Sequence, residues 1–127
     1  MKFLTPTGVA AENLSMGATT IYRCFGYALG NEQIPPKRLK DIAPQFKDVR
    51  VIVVDEISMV SPALLYNISQ SLKQIAANQN LLGFGTSFGG FSVLLMGDFR
   101  QIPPIGSVSL IHDALYPKKA QEHGCLF

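Results

Sequence analysis

Asp55 and Glu56 stand side by side at the end of an apolar run, Val51-Ile52-Val53-Val54. Two adjacent carboxylates at a strand tip can hold a hydrated Mg2+ and polarise a water molecule. In that chemistry Asp55 holds the ion through water, and Glu56 orients or deprotonates the attacking water. A second apolar run, Phe91 to Met96, ends in Gly97-Asp98-Phe99-Arg100-Gln101. The neutral amide of Gln101 can donate to a terminal phosphate oxygen and accept from water, so it can report whether that phosphate is present. Arg100 either contacts phosphate or lies on the surface, and the surface is the simpler reading. A third polar group, Thr5-Pro6-Thr7-Gly8, leads into Val9-Ala10-Ala11. A strand turning into a helix there offers N–H groups and hydroxyls to phosphate. It is equally a capping turn with Thr7 as N-cap.

The elements that must position these groups follow from pattern. Short β-branched runs suit parallel strands covered on both faces, and ligands of open α/β sheets gather at the carboxyl ends of such strands. The pattern predicts a strand over Lys2–Thr5, then helices over Val9–Leu14 and Ile21–Leu29. A Pro-broken loop follows at Gly30–Pro36, then a charged helix over Lys37–Phe46 and the Asp55 strand. Ser61-Pro62 supplies an N-cap and a first-turn proline for a helix reaching about Ala77, with Leu64, Leu65, Ile68, Leu72 and Ile75 at helical spacing. Asn78–Gly90 reads as a Gly-rich loop, Phe91–Met96 as the second tip-bearing strand, and Ser107–Leu115 as a last short helix. Strand, turn and helix alternate as in an α/β domain with a mostly parallel sheet and flanking helices.

Composition sets bounds. The chain has 127 residues, enough for one domain; 47% are hydrophobic and 16% charged, as in a core-forming globular protein. A net charge of +2 is too small to advertise a polyanion partner by itself. Cys24 and Cys125 have no metal-ligand spacing and read as free thiols of a reducing compartment. His112 and His123 read as surface residues. No run is long enough to span a membrane, and Pro6 and Gly8 interrupt the only apolar stretch near the N-terminus. Gly85-Thr86-Ser87-Phe88-Gly89-Gly90-Phe91-Ser92 has the spacing of a phosphate loop, but Phe91 stands where lysine is required and the segment precedes a strand rather than following one.

Together these segments resemble the Pif-one/RecD-like branch of superfamily-one DNA helicases. Thr5-Pro6-Thr7-Gly8-Val9-Ala10-Ala11 resembles that family's motif Ia. Gly17-Ala18-Thr19-Thr20-Ile21-Tyr22 resembles its following segment, with Tyr22 where histidine is usual. Val53-Val54-Asp55-Glu56-Ile57-Ser58-Met59-Val60 resembles its Walker B motif. Phe88-Gly89-Gly90 and then Gly97-Asp98-Phe99-Arg100-Gln101-Ile102-Pro103-Pro104 resemble its motif III. The resemblance implies a partial RecA-like P-loop NTPase domain over residues 1–127, with ATP and Mg2+ as cofactors and single-stranded DNA as partner. It implies ATP hydrolysis coupled to 5′-to-3′ unwinding in repair, recombination and telomere maintenance. By matching position, Asp55 and Glu56 serve Mg2+ and water, Gln101 senses the terminal phosphate, and Pro6, Thr7, Gly8 and Thr20 lie along the DNA, where the Tyr22 ring can stack on a base.

No Gly-x-x-x-x-Gly-Lys-Ser/Thr occurs in these residues. The resemblance therefore implies an internal piece of a helicase, without the phosphate loop or the second motor domain, and inactive in isolation. The missing first strand is expected to leave a gap in the sheet, or a rearranged strand pairing, between the Asp55 strand and the Met96 strand. The alternative is a catalytically inactive, helicase-derived chain that binds nucleic acid or a partner; another P-loop ATPase fits the Gln101 segment less well. The expected compartment is intracellular, nuclear or mitochondrial in a eukaryote.

Overall fold

The computed structural model describes residues 1–81, 83 and 85–110. Four strands form one sheet, all parallel: β1 (Lys2–Thr5), β2 (Thr19–Thr20), β3 (Val51–Val54) and β4 (Ser92–Leu95), in the order β2-β1-β3-β4. β3 lies inside the sheet, and Ile52, Val53 and Val54 are buried, as a β-branched run with cover on both faces requires. Thr5 ends β1 fully buried, and its hydroxyl donates to the Thr7 carbonyl (2.8 Å), which fixes the turn into the first helix.

Two helices start on the N-caps their sequences predict, Thr7 and Ser61. Helix α1 (Gly8–Leu14) has Thr7 as N-cap, its Oγ1 accepting from the Ala10 N–H at 3.2 Å. Helix α2 (Ile21–Phe25) is capped by Thr20 in the same way. It ends four residues before the Leu29 that periodicity suggests, because Gly26 takes a left-handed C-cap (φ 67°). The charged stretch after Pro36 is not one helix: a single α-turn, α3 (Leu39–Ile42), lies between 3-10 turns at Pro36–Arg38 and Ala43–Phe46, the latter with Pro44 in its first turn. Helix α4 (Pro62–Asn78) runs as expected, with Ser61 Oγ accepting from the Leu64 N–H at 3.1 Å. It buries Leu65, Ile68, Leu72 and Ile75 against the sheet. Each such side chain contributes about 1.5–3 kcal/mol relative to exposure.

Phe25 stacks on Phe46 (centroids 6.0 Å apart), and Phe91 meets Phe46 edge-on, so the segment before β4 is tied to the core of the first half. The Gly-rich stretch before β4 closes on α4 through a 3-10 turn, Ser87–Gly90, where the Phe88 N–H donates to the buried Ser69 Oγ at 2.9 Å. Cys24 is a buried free thiol whose pKa burial pushes up to about 11.

Of the two outcomes expected for the Asp55 and Met96 strands, a gap or a rearranged pairing, the structure has the rearranged pairing. There is no gap between the Asp55 and Met96 strands: β3 and β4 pair directly and in parallel, Val51 with Ser92 through Val54 with Leu95. The ladder continues past both strand ends, the Met96 N–H donating to Val54 O (2.8 Å) and the Ile57 N–H to Met96 O (2.9 Å). Among the described residues β2 and β4 are the two edge strands, and no strand pairs with the outer side of β4. There Leu94, Leu95 and Met96 are 51%, 42% and 45% exposed, so successive residues on both faces lack cover. The short helix expected from Ser107 and the residues His112, His123 and Cys125 lie wholly or mostly outside the described residues. Among the described residues, no helix is long and apolar enough to cross a membrane.

Candidate nucleotide and nucleic-acid site

The direct pairing of β3 with β4 brings two polar tips together. Glu56 leaves β3 in a left-handed conformation (φ 51°, ψ 47°), which costs a non-glycine residue on the order of 1 kcal/mol or more. Two contacts hold it there. The Glu56 N–H donates to its neighbour's Asp55 Oδ1 at 2.8 Å, and the next amide, Ile57 N–H, is bound by Met96. Glu56, Ser58, Met59, Gln101 and Ile102 then line one cavity of about 250 Å3. Glu56 and Gln101, far apart in sequence, thus face a common space at the carboxyl edge of the sheet. The Gln101 segment is shaped by Asp98, whose Oδ1 accepts from the Arg100 N–H at 2.9 Å, while the Gln101 N–H donates to Asp98 O at 3.0 Å. Arg100 is 93% exposed and pairs only loosely with Asp98 (3.5 Å), in keeping with a surface residue.

Asp55 does not line that cavity. It is half-buried at the β3 tip, its N–H bound by Leu4 O at 2.9 Å. One carboxylate oxygen serves the Glu56 amide and the other carries no protein hydrogen bond among the described residues. Among the described residues no three His, Cys, Asp or Glu side chains converge as a protein cage for a metal. That donor set fits Mg2+, which keeps several waters and binds through one or two carboxylates plus substrate phosphates.

The residues assigned to a nucleic-acid track divide over two neighbouring hollows. Pro6, Thr7 and Tyr22 line a cavity of about 640 Å3 with Met59, Leu64 and the buried Pro104. Gly8 and Thr20 line a smaller one of about 250 Å3 with Thr19, Arg23 and Glu12. Thr7 and Thr20 each accept one capping hydrogen bond, and among the described residues neither O–H has an acceptor, so each can donate outward, for instance to a phosphate oxygen. Tyr22 is pinned: its hydroxyl donates to Glu32 Oε1 at 2.6 Å, and its ring meets Tyr27 edge-on at 5.7 Å. Burial first, and then the Glu32 carboxylate, push the Tyr22 pKa up to about 12, so the ring stays neutral at ordinary pH.

Sequence reasoning missed Ser58, Met59 and Glu32. Met59 lines both the Glu56 cavity and the Tyr22 cavity, so the two share a wall. No sequence signal marks Glu32, a loop residue ten positions from its partner. Ser58 had one: a single polar residue between Ile57 and Met59 in an apolar stretch.

A parallel sheet with a carboxylate pair at one strand tip and a glutamine beyond the next is the arrangement of a RecA-like fold. The chain belongs to the PIF1-like helicase family, whose model matches residues 3–114. It is similar to the ATP-dependent DNA helicase RRM3 of Saccharomyces cerevisiae, 34% identical over 104 residues that cover 78% of this chain and 13% of that protein. Among solved structures it is similar to Bacteroides Pif1 bound to single-stranded DNA, with a TM-score of 0.65 and 28% identity over 95% of this chain and 25% of that one. It is likewise similar to Bacteroides Pif1 in complex with ADP-AlF4, with a TM-score of 0.63 and 27% identity over 92% of this chain and 26% of that one. The chain thus spans about an eighth of the length of the first curated relative and a quarter of the solved ones.

Proposed function

We propose that this chain is part of an ATP-dependent DNA helicase and carries the water-activating and phosphate-sensing half of its nucleotide site. The single observation behind this reading is that adjacent parallel strands deliver Glu56 and Gln101 to one cavity. In the intact site Asp55 anchors Mg2+ through water, and the ion would neutralise charge on the phosphates. Glu56 accepts the proton of the attacking water, and its strained, doubly tethered backbone fixes where that proton goes. Gln101 bonds the terminal phosphate and is released when it leaves.

The same reading places single-stranded DNA along Pro6, Thr7, Gly8, Thr20 and Tyr22. Thr7 and Thr20 donate their hydroxyls to the backbone, and Tyr22, held edge-on by Tyr27 and Glu32, offers a ring against a base. Movement from 5′ to 3′, roles in repair, recombination and telomere maintenance, and a nuclear or mitochondrial location in a eukaryote belong to this proposal through the family alone.

These 127 residues hold no lysine-bearing phosphate loop. The purified chain is therefore expected to hydrolyse ATP at background, with or without single-stranded DNA. DNA-stimulated turnover that Glu56→Gln abolishes would show that these residues suffice and would refute the division of labour proposed here. An in-frame Gly-x-x-x-x-Gly-Lys-Thr upstream of the Met1 codon would support membership in a longer motor; its absence would favour the catalytically inactive alternative.

A further inference from the structure

We propose that Ser58 is a positioning residue of the nucleotide site, its hydroxyl engaging the Gln101 carboxamide when the site is filled. Ser58 is 2% exposed, lines the cavity shared by Glu56 and Gln101, and its Oγ has no hydrogen-bond partner among the described residues. A buried hydroxyl left unpaired costs about 1–3 kcal/mol, so such a group persists where a partner arrives in another state. The cavity supplies few candidates. Met59 and Ile102 are apolar. Glu56 stands just before the tight turn, Ile57–Met59, with a left-handed backbone, and its carboxylate makes no hydrogen bond to Ser58 Oγ. Gln101 comes from the loop after β4, lines the same cavity and is exposed, and its side chain makes no hydrogen bond among the described residues. An amide and a hydroxyl can each donate and accept, so the pair can form in either sense. Turned inward, Gln101 would meet Ser58 at the root of the loop that also carries Glu56 and Met59. Its orientation would then be fixed against the same backbone that positions the attacking water.

The consequence for catalysis rests on reading this cavity as the nucleotide site, and the test separates the two claims. In the complete helicase carrying this segment, Ser58→Ala is expected to lower kcat about tenfold, the loss of one hydrogen bond, with the KM for ATP within about twofold. It should lower the preference for ADP–aluminium fluoride over ADP by a similar factor. In a Gln101→Ala background it should have no further effect, and Ser58→Thr, which keeps the hydroxyl, should restore most of the loss. Because the hydroxyl is unpaired in the empty site, the thermal midpoint of Ser58→Ala should equal or exceed that of the parent. Equal losses in both backgrounds, or a midpoint lowered by several degrees, would overturn the assignment. Wild-type kcat in Ser58→Ala beside an inactive Glu56→Gln would overturn it while leaving the nucleotide reading intact. Wild-type hydrolysis in Glu56→Gln would overturn that reading itself.

Discussion

Gly97 lies directly against Ile57: a Cβ on Gly97 would stand 2.8 Å from the Ile57 nitrogen and 3.3 Å from Glu56 Cα. The first residue beyond the β4 ladder is thus packed onto the turn that carries the candidate water-activating carboxylate. Because the Ile57 N–H is simultaneously bound by Met96 O, the two strand tips form one unit rather than two adjacent loops. The position of Glu56 is set from β4 as much as from its own strand.

Gly97→Ala tests this directly. Its φ of 141° disfavours any L side chain, and the obstructing atoms are backbone that cannot rotate away. The substitution should cost about 1–3 kcal/mol by strain alone and shift Glu56. Chemical denaturation measures the first effect, and turnover in the complete helicase the second; a variant equal to the parent in both would show that the two tips are not coupled.

Gly89 makes the corresponding contact on α4. An added Cβ would fall 2.5 Å from Leu72 O, at a left-handed φ of 62°. Gly89→Ala should therefore destabilise the fold by about 2 kcal/mol or more, while Gly85→Ala, with nothing within 4 Å of the added carbon, should be close to neutral. Equal thermal midpoints for the two variants would contradict the close packing of this turn.

Much of the architecture was legible because local chemistry decided it. Val51–Val54 can only be a covered strand, and Ser61-Pro62 can only open a helix, since cap and proline act within a few residues. The carboxylate pair, the glutamine and the flanking motifs were equally local. What was not legible depended on pairing. The neighbour of β3 is chosen by how the 37-residue connection through α4 folds back, which periodicity does not encode, so the sequence left open whether β3 and β4 would be separated by a gap or paired. Helix α2 ended early because Gly26 found a left-handed cap beside Arg38, a contact across the fold. Ser58 carries only the weak signal of a lone polar residue in an apolar stretch, because its cavity is completed by a distant segment.

The open edge of β4 carries its own prediction. Leu94, Leu95 and Met96 are exposed on an edge strand with no outer partner among the described residues, a template for association. The chain alone should self-associate or fail to stay soluble, and Leu94→Lys should reduce association in size-exclusion chromatography with light scattering. A soluble monomer with one cooperative thermal transition would contradict this.

Alkaline pH should destabilise the chain progressively as its buried thiol and phenol groups ionise. The Cys24 thiol is raised from 9.0 to about 11 and the Tyr22 phenol from 10.0 to about 12, each mainly by burial. Both groups are neutral when protonated, so the unfolded chain loses these protons first. Their stabilisation is fully present below the unfolded values and is lost as pH rises through the folded ones. Urea midpoints should hold to about pH 9 and then fall toward pH 12, with Cys24→Ala removing the lower part of the decline and Tyr22→Phe part of the upper. A midpoint that rises across this range would reverse the assigned signs.

The central claim is that Glu56 and Gln101 act on one nucleotide from adjacent strand tips. The most direct measurement is single-turnover ATP hydrolysis with single-stranded DNA in the complete helicase carrying this segment, alongside equilibrium ATP binding. Glu56→Gln should lower the hydrolysis rate at least about a hundredfold while ATP affinity stays within a few-fold, because the amide keeps the shape but cannot take the water's proton. Gln101→Ala should leave measurable hydrolysis uncoupled from unwinding. Parental hydrolysis and unwinding in both variants would contradict the account.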